Sequence, residues 1–233
     1  MNRDIQKRRT DAEEILRRVR VVVFDVDGTL VDSVGCIISC MQEAAAVHGA
    51  RIPTDAEVLD IIGITLRAAV ARLFPMESDQ RIDIITDEYR RLCTMREDAN
   101  PSPYFPGTVE ALERLKTAGY FIAIATGKSR RGLMRLLADE RIRRITDFSV
   151  CGDEAPSKPD PGMMRLTMEH FGLRPEQLLM VGDSALDLAM AKNASVPSVG
   201  VTCGVHDSRT LNGQDPVLLA ENPAHLARIL TGI

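Results

Sequence analysis

Polar residues that could carry chemistry stand directly after short apolar segments of the chain. They form four groups: Asp25 and Asp27; Thr126, Gly127 and Lys128; Ser157, Lys158 and Pro159; and Gly182, Asp183, Ser184 and Asp187. Four aspartates directed at one place repel, at roughly 4 kcal/mol for each pair ~4 Å apart at an effective dielectric constant near 20. A divalent cation among them would relieve this repulsion, and an all-oxygen ligand set suits Mg²⁺.

The remaining groups of this set are donors suited to an anion. Thr126 and Lys158 offer a hydroxyl and an ammonium group, and the backbone around Gly28 and Gly127 offers N–H groups. An acidic cluster, a cation and an anion cradle together indicate phosphoryl transfer, in which catalysis consists mainly of positioning and charge stabilisation.

The apolar segments predict the elements that position these groups. Strands are predicted at Val21–Phe24, Phe121–Ala125, Phe148–Cys151, Leu178–Val181 and Ser198–Val201. Helices are predicted between them at Val109–Ala118, Leu133–Asp139, Gly162–Phe171 and Leu186–Ala194. This alternation predicts an α/β fold, a Rossmann-like, doubly wound parallel sheet whose strand ends carry the site.

A second pattern interrupts the alternation between residues 34 and 97. Apolar residues there recur at three and four positions, which predicts four helices and no strand. Asn100–Pro103 then breaks the helical pattern. We expect a discontinuous core of residues 1–31 and 101–233 with an all-helical cap of residues 32–100. The capping box from Thr10 to Glu13 predicts a short leading helix.

Each motif taken alone also has a structural interpretation. Asp25–Gly28 could be a turn or open an EF-hand loop, although it follows a strand and lacks the third aspartate. Gly182–Ser184 could be a helix N-cap, and Lys158–Pro159 a surface loop. Their joint occurrence at strand ends, in one order, favours the functional interpretation.

The same residues carry a resemblance to a known family. Asp25–Ser33, with the sequence DVDGTLVDS, resembles the first motif of the haloacid-dehalogenase-like (HAD-like) phosphohydrolases, and Thr126 resembles the second. Ser157–Pro159 resembles the third motif, and Val181–Ser184 with Asp187 the fourth. The helical insertion resembles the cap of the subgroup that contains phosphoglycolate phosphatase and β-phosphoglucomutase.

The resemblance implies a role for each acidic residue. Asp25 would be the nucleophile that forms an aspartyl-phosphate, and Asp27 the general acid and base. Asp25, the backbone carbonyl of Asp27, and Asp183 would bind Mg²⁺, while Asp187 and Ser184 would orient the site from behind. An acid at position 27 distinguishes ester phosphatases and mutases from the dehalogenases of this kind.

The resemblance also assigns the phosphate contacts. Thr126, Gly127 and Lys158 would hold the phosphoryl group. Two positions depart from the family pattern: Gly127 stands where many relatives have Asn, and Cys203 stands where many phosphoglycolate phosphatases have Trp.

Substrate recognition is assigned to the cap. The cap has seven Arg against twelve Asp and Glu, so a substrate anion would have to meet a local cation. Arg67 is the candidate, and a solvated charge on a helix is the alternative. The expected function is Mg²⁺-dependent hydrolysis of a small phosphorylated metabolite such as phosphoglycolate. The alternatives are a sugar-phosphate mutase, a phospho-accepting signalling domain and, more remotely, a non-catalytic binding protein.

Composition limits the partners and the location. The 29 Lys and Arg against 33 Asp and Glu give a net charge of −4, which argues against nucleic-acid binding. No apolar stretch approaches the ~20 residues of a membrane span. Cys36 and Cys40 lie one helical turn apart, but with no third Cys in view they are interpreted as buried thiols. A cytoplasmic monomer or homodimer is expected.

Overall fold

The computed structural model describes residues 2–232, with side chains from Thr10 onward. Its sheet has six parallel strands in the order β3-β2-β1-β4-β5-β6. The strands are β1 (Val21–Phe24), β2 (Phe121–Thr126), β3 (Phe148–Cys151), β4 (Leu178–Gly182), β5 (Ser198–Val201) and β6 (Leu218–Ala220). The α/β fold is therefore confirmed. The strand β6 was not predicted, because its segment is short and only partly buried.

Twelve α-helices accompany the sheet in the described residues. They are α1 (Asn2–Arg18), α2 (Val34–Val47), α3 (Asp55–Leu59), α4 (Leu66–Leu73), α5 (Asp79–Ala99), α6 (Thr108–Thr117), α7 (Arg130–Leu136), α8 (Glu140–Ile145), α9 (Gly162–Phe171), α10 (Ala185–Asn193), α11 (Ser208–Asn212) and α12 (Pro223–Thr231). The predicted helix at Leu133–Asp139 is displaced: α7 begins earlier because Ser129 caps it, its side chain accepting from the Gly132 N–H, and it ends at Leu136. The helices α8, α11 and α12 were not predicted.

The first strand lies at the centre of the sheet because its four residues are apolar on both faces. Val22 and Phe24 belong to the core on one face, and Val21 and Val23 belong to the core on the other. All four are fully buried, and each such side chain contributes about 1.5–3 kcal/mol. The chain leaves this strand at the middle of the sheet edge, which is where parallel α/β folds bind ligands.

Residues 34–99 form four helices, α2 to α5, with a hydrophobic cluster of their own. Cys40, Met41, Val70 and Ile85 lie in this cluster, which is separate from the two cores flanking the sheet. The cap boundaries at residues 32 and 100 stay a prediction, which the separate cluster supports. No helix in the described part of the chain is long and apolar enough to span a membrane.

Candidate active site

Asp25 is the first residue after β1, and its side chain is buried. Its N–H donates to the carbonyl of Val181 on β4 at 3.0 Å, which continues the parallel ladder by one residue. The Lys158 ammonium lies 2.7 Å from Asp25 Oδ1, but no hydrogen bond of acceptable geometry reaches that oxygen. This oxygen is paired with the Lys158 ammonium, and a carboxylate oxygen keeps a further lone pair for a ligand.

Lys158 is held between two carboxylates. Its Nζ lies 2.6 Å from Asp187 Oδ1, and both side chains are fully buried. The other oxygen of Asp187 accepts from the Ser184 hydroxyl at 2.5 Å and from the Ser184 N–H at 3.2 Å. This capping box at the start of α10 fixes the carboxylate, so Asp187 orients Lys158 toward Asp25.

Asp183 follows β4 and receives its own pair of donors. Thr29 Oγ1 donates to Oδ1 at 2.6 Å, and the Val205 N–H donates to Oδ2 at 2.8 Å. Two glycines make room for it, because a Cβ at Gly28 or Gly204 would lie only 2.2 or 2.1 Å from Asp183 Oδ2. Gly28 also has a φ of +78°, so the turn after β1 requires glycine on both counts.

The carboxylates of Asp25, Asp183 and Asp187 meet at one point, with one oxygen of each lying within 4.8 Å of the others. Burial raises the pKa of Asp25 well above its ordinary value, against the opposing effect of Lys158. Burial and the charge of Asp187 raise the pKa of Asp183 to about 7. Burial disfavours the ammonium of Lys158, but Asp187 and Asp25 outweigh it and raise its pKa. The carboxylates of the cluster therefore repel one another, and a bound cation would reduce this repulsion.

Asp27 follows Asp25 by two residues, and its side chain has two close partners. Its Oδ1 accepts from the Ser33 hydroxyl at 2.5 Å and lies 2.8 Å from Lys128 Nζ. Its side chain is 13% exposed, in contrast to 3% for Asp25. A carboxyl group that is fixed by two partners and still reached by solvent is suited to proton transfer.

The end of β2 brings Thr126 and Gly127 to the same edge. The Thr126 hydroxyl is buried and accepts from the Lys128 N–H at 3.2 Å, which leaves its own proton to donate. A Cβ at Gly127 would lie 2.6 Å from the carbonyl oxygen of Gly63 and 2.8 Å from that of Ile64. The backbone before α4 therefore fills the space that a side chain at position 127 would need.

The helices α2 to α5 close over this edge of the sheet. The Thr65 N–H donates to Ser157 Oγ at 2.8 Å, one residue before Lys158. A cavity of about 70 Å³ lies between, and its floor includes Asp25, Asp27, Gly127 and Lys128. Apart from the Gly63 backbone, the wall facing them is apolar: Ile37, Met41, Ile61, Ile62, Ile64, Leu66 and Ala69.

Arg67 is not brought to this cavity. Its guanidinium donates to Asp83 Oδ1 at 2.7 Å and to Asp79 Oδ1 at 2.9 Å, and half of its side chain is exposed. The geometry favours the alternative of a solvated helix charge over a contact with substrate. The cation that the cavity lining does present is Lys128, on the core side.

Comparisons with known proteins agree with this geometry. Residues 22–201 match the family model of haloacid dehalogenase-like hydrolases. The chain belongs to this family. A protein of Dickeya dadantii named "Probable phosphatase IndB" is 32% identical, with 86% of this chain and 89% of the relative covered. A phosphoglycolate phosphatase of Agrobacterium fabrum is also 32% identical, covering 80% of this chain and 82% of that protein.

Solved structures give the same result for the fold. A haloacid dehalogenase-like hydrolase from Bacteroides fragilis superposes with a TM-score of 0.82 at 27% identity, covering 89% of this chain and 99% of that one. The predicted family resemblance is confirmed, and with it the prediction of a phosphatase-class enzyme. The roles of individual residues in the HAD-like site remain predictions, to which the distances above give a physical basis.

Three contributors were not identified from the sequence. Thr29 and Ser33 lie within the first motif, but a turn and a helix start bring them to their partners. Lys128 was expected at this edge, but its ion pair with Asp27 was not predicted. Cys93 on α5 lies beside Cys36 and Cys40 on α2, so the assumption that no third cysteine is near was wrong. The α2–α5 contact joins distant parts of the chain, and no local pattern predicts it.

Proposed function

We propose that this HAD-like hydrolase cleaves a small phosphate monoester in a Mg²⁺-dependent reaction through a phosphorylated Asp25. The observation that carries the proposal is the buried Asp25 carboxylate, paired with Lys158 at 2.7 Å, in the lining of a cavity beneath the cap. A nucleophile needs an unoccupied lone pair and a nearby positive charge for the incoming phosphoryl group.

The carboxylates suit Mg²⁺. The ligand atoms are all oxygen, and the Asp183 carboxylate is held in place by Thr29 and Val205. Asp25, Asp183 and the backbone carbonyl of Asp27 would hold the ion. Both Asp187 oxygens are already engaged by Lys158 and Ser184, which suits a positioning role. When bound, Mg²⁺ supplies positive charge next to the phosphoryl oxygens.

The chain's own residues account for both half-reactions. In the first, an Asp25 oxygen attacks phosphorus and the bond to the leaving alcohol breaks, while Asp27 donates its proton to that alcohol. In the second, Asp27 accepts a proton from water, which attacks phosphorus and releases Asp25 and inorganic phosphate. Lys158 and the Thr126 hydroxyl stabilise the phosphoryl oxygens in both.

Substrate size follows from the cavity. Seven apolar side chains form the wall opposite the floor, and they offer no partners for the hydroxyl groups of a sugar. A mutase would also need cations for a second phosphate, and the described lining offers Lys128 alone. A small ester with one further anionic group fits better. Phosphoglycolate, for which the Agrobacterium fabrum relative is named, is the first candidate.

Two further features favour an enzyme over a signalling domain. The cap encloses Asp25, and a phospho-accepting aspartate that must meet a donor protein needs an open edge. The relatives that match over most of this chain are named as hydrolases and phosphatases. The cytoplasmic location and the monomeric or dimeric state stay predictions.

The test is phosphate release from a panel of phosphate esters, with Mg²⁺ and with chelator. Asp25→Asn keeps the shape of the side chain and removes the nucleophile, and Asp60→Asn, on the exposed cap surface, is the matched control. We expect Mg²⁺-dependent release, strongest for phosphoglycolate, that is lost in Asp25→Asn and kept in Asp60→Asn. Release by Asp25→Asn at the wild-type rate would contradict the proposal.

A further inference from the structure

Three cysteine thiols meet where α2 packs against α5. The sulfur atoms of Cys36, Cys40 and Cys93 all lie within 4.8 Å of one another. Cys40 is fully buried, while Cys36 and Cys93 are partly exposed, and all three are free thiols. None of them takes part in the phosphatase site described above.

The spacing of the sulfurs matches metal coordination. With a metal–sulfur bond of about 2.3 Å, two thiolates on one ion lie about 3.8 Å apart in a tetrahedral site and about 4.0 Å apart in a trigonal one. Cys36 Sγ and Cys40 Sγ are 3.9 Å apart. Cys93 Sγ lies within 4.8 Å of both, so all three sulfurs can reach one ion with small side-chain adjustments.

A fourth ligand stands next to them. Glu97 follows Cys93 by one helical turn on α5, just as Cys40 follows Cys36 on α2, which makes it the candidate for this ligand. Its carboxylate is held by Ser102, whose hydroxyl and N–H donate to its two oxygens at 2.5 and 3.1 Å. This support from Ser102 orients the carboxylate, as the outer partners of metal ligands do.

The local charge also favours thiolates. Arg96 Nη1 lies 3.6 Å from Cys40 Sγ and 2.6 Å from Ser39 Oγ, and its other nitrogen pairs with Glu43. The guanidinium therefore places a fixed positive charge beside the sulfurs and offsets part of the negative charge of the ligands.

We propose that Cys36, Cys40, Cys93 and Glu97 form a binding site for one thiophilic metal ion of the Zn²⁺ class, separate from the Mg²⁺ site. Binding replaces three S–H protons, which leave to solvent, by three metal–sulfur bonds and changes no oxidation state. The ion would join the first helix after β1 to the last helix before the return to the core. It therefore stabilises the arrangement of the cap.

The site is tested with Cd²⁺, whose bonds to thiolates absorb in the ultraviolet while its bonds to carboxylates do not. The full chain is reduced, freed of reductant under nitrogen, and titrated in excess Mg²⁺ so that the aspartate cluster is occupied. We expect a thiolate absorption that saturates at one Cd²⁺ per chain. Zn²⁺ should displace Cd²⁺ and abolish this absorption.

Serine variants assign the ligands. Cys93→Ser is expected to lose the stoichiometric absorption, and Cys203→Ser, which changes a thiol outside the cluster, is expected to keep it. Cys36→Ser is the second variant if Cys93→Ser fails to fold. Glu97→Gln should keep the stoichiometry and weaken the affinity about 10-fold or more. Added Zn²⁺ should raise the melting temperature of the wild type and of Cys203→Ser, but not of Cys93→Ser.

Three results would overturn the proposal. The first is no thiolate absorption at stoichiometric Cd²⁺ in the reduced wild type. The second is the same absorption in Cys93→Ser, which would place the ion elsewhere. The third is a melting temperature that Zn²⁺ raises equally in Cys93→Ser and in the wild type.

Discussion

Gly127 and Gly63 approach so closely that a Cβ on Gly127 would lie 2.6 Å from the carbonyl oxygen of Gly63. One residue belongs to the loop after β2 and the other to the segment before α4, so this contact joins the sheet edge to the cap. Together with the Thr65–Ser157 hydrogen bond, it sets the depth of the cavity above Asp25.

Gly127→Ala should hold the cap away from the sheet. The added methyl group needs about 0.5 Å or more of movement, and displacements of this order lower catalysis by about 10- to 100-fold. We expect kcat/KM to fall in that range while the melting temperature changes little. Gly132→Ala, in α7, meets its nearest neighbour at an ordinary 3.5 Å and is the control. Equal kcat/KM for the two variants would show that this contact does not govern closure.

Lys128 should contribute to turnover through Asp27. Its ammonium lies 2.8 Å from Asp27 Oδ1, and although burial disfavours the ammonium, Asp27 raises the pKa of Lys128. Hydrogen bonds to charged groups contribute about 1.5–3 kcal/mol, which corresponds to about 10- to 100-fold in rate. Lys128→Met should lower kcat/KM by this factor. Lys116→Met, which breaks an ion pair with Asp147 elsewhere, should not, and a wild-type rate in Lys128→Met would exclude the role.

The metal-free protein should lose stability as the pH rises from about 4 to about 7. The pKa of Asp183 is raised to about 7 in the folded protein, mainly by burial, so the folded state binds the proton more tightly than the unfolded state across this interval. The stabilisation that protonated Asp183 provides is complete below the pKa of this group in the unfolded state. It is lost as the pH rises through the pKa of this group in the folded state. Burial raises the pKa of Asp25 in the same direction.

Asp183→Asn isolates this effect, since the amide does not titrate. In chelator, we expect the free energy of unfolding of this variant, relative to the wild type, to increase between about pH 5 and about pH 8. Mg²⁺ should reduce the difference at the higher pH by stabilising the wild type. A difference that does not change with pH would mean that Asp183 is not buried as a strained carboxylate.

Arg67→Ala should leave substrate binding unchanged. Arg67 pairs with Asp79 and Asp83 on an exposed surface and lies outside the cavity lining. We expect KM within about 2-fold of the wild type and a small decrease in melting temperature, since exposed ion pairs contribute little. Arg91→Ala, which removes another exposed ion pair of the cap, is the comparison. A large rise in KM for Arg67→Ala alone would restore the sequence-based hypothesis of substrate contact.

The positions of the site residues were easiest to predict where they follow a strand of a parallel sheet. Asp25, Lys158 and Asp183 follow strands or the loops after them, and the fold brings such residues to one edge whatever the loop lengths. The contacts of Lys128 and Ser33 with Asp27 were not predicted, because they depend on the course of a loop and of a helix start. The short β6 has three residues, two of them only partly buried, so it lacks the longer apolar signal of β1.

The cap shows the other limit of sequence reasoning. The helices of the cap could be predicted, because the spacing of apolar residues is a local property of the sequence. The way α2 packs on α5 depends on side chains far apart in the chain, so the meeting of Cys36 with Cys93 could not be deduced. The same holds for Gly127. The reason for a glycine at this position is clear only from the structure, in which the backbone of Gly63 occupies the space of a side chain.

The most direct test of the central claim is the mass of the peptide that contains Asp25, taken from acid-quenched enzyme during turnover of its best ester with Mg²⁺. The account predicts the added mass of one phosphoryl group on Asp25. In Asp27→Asn, the phosphoryl group should form more slowly and, once formed, persist longer after the ester is removed, because the same residue is the general acid and the general base. An Asp25 peptide that stays unmodified in both proteins while phosphate is released, or a phosphoryl group on another residue, would contradict the account.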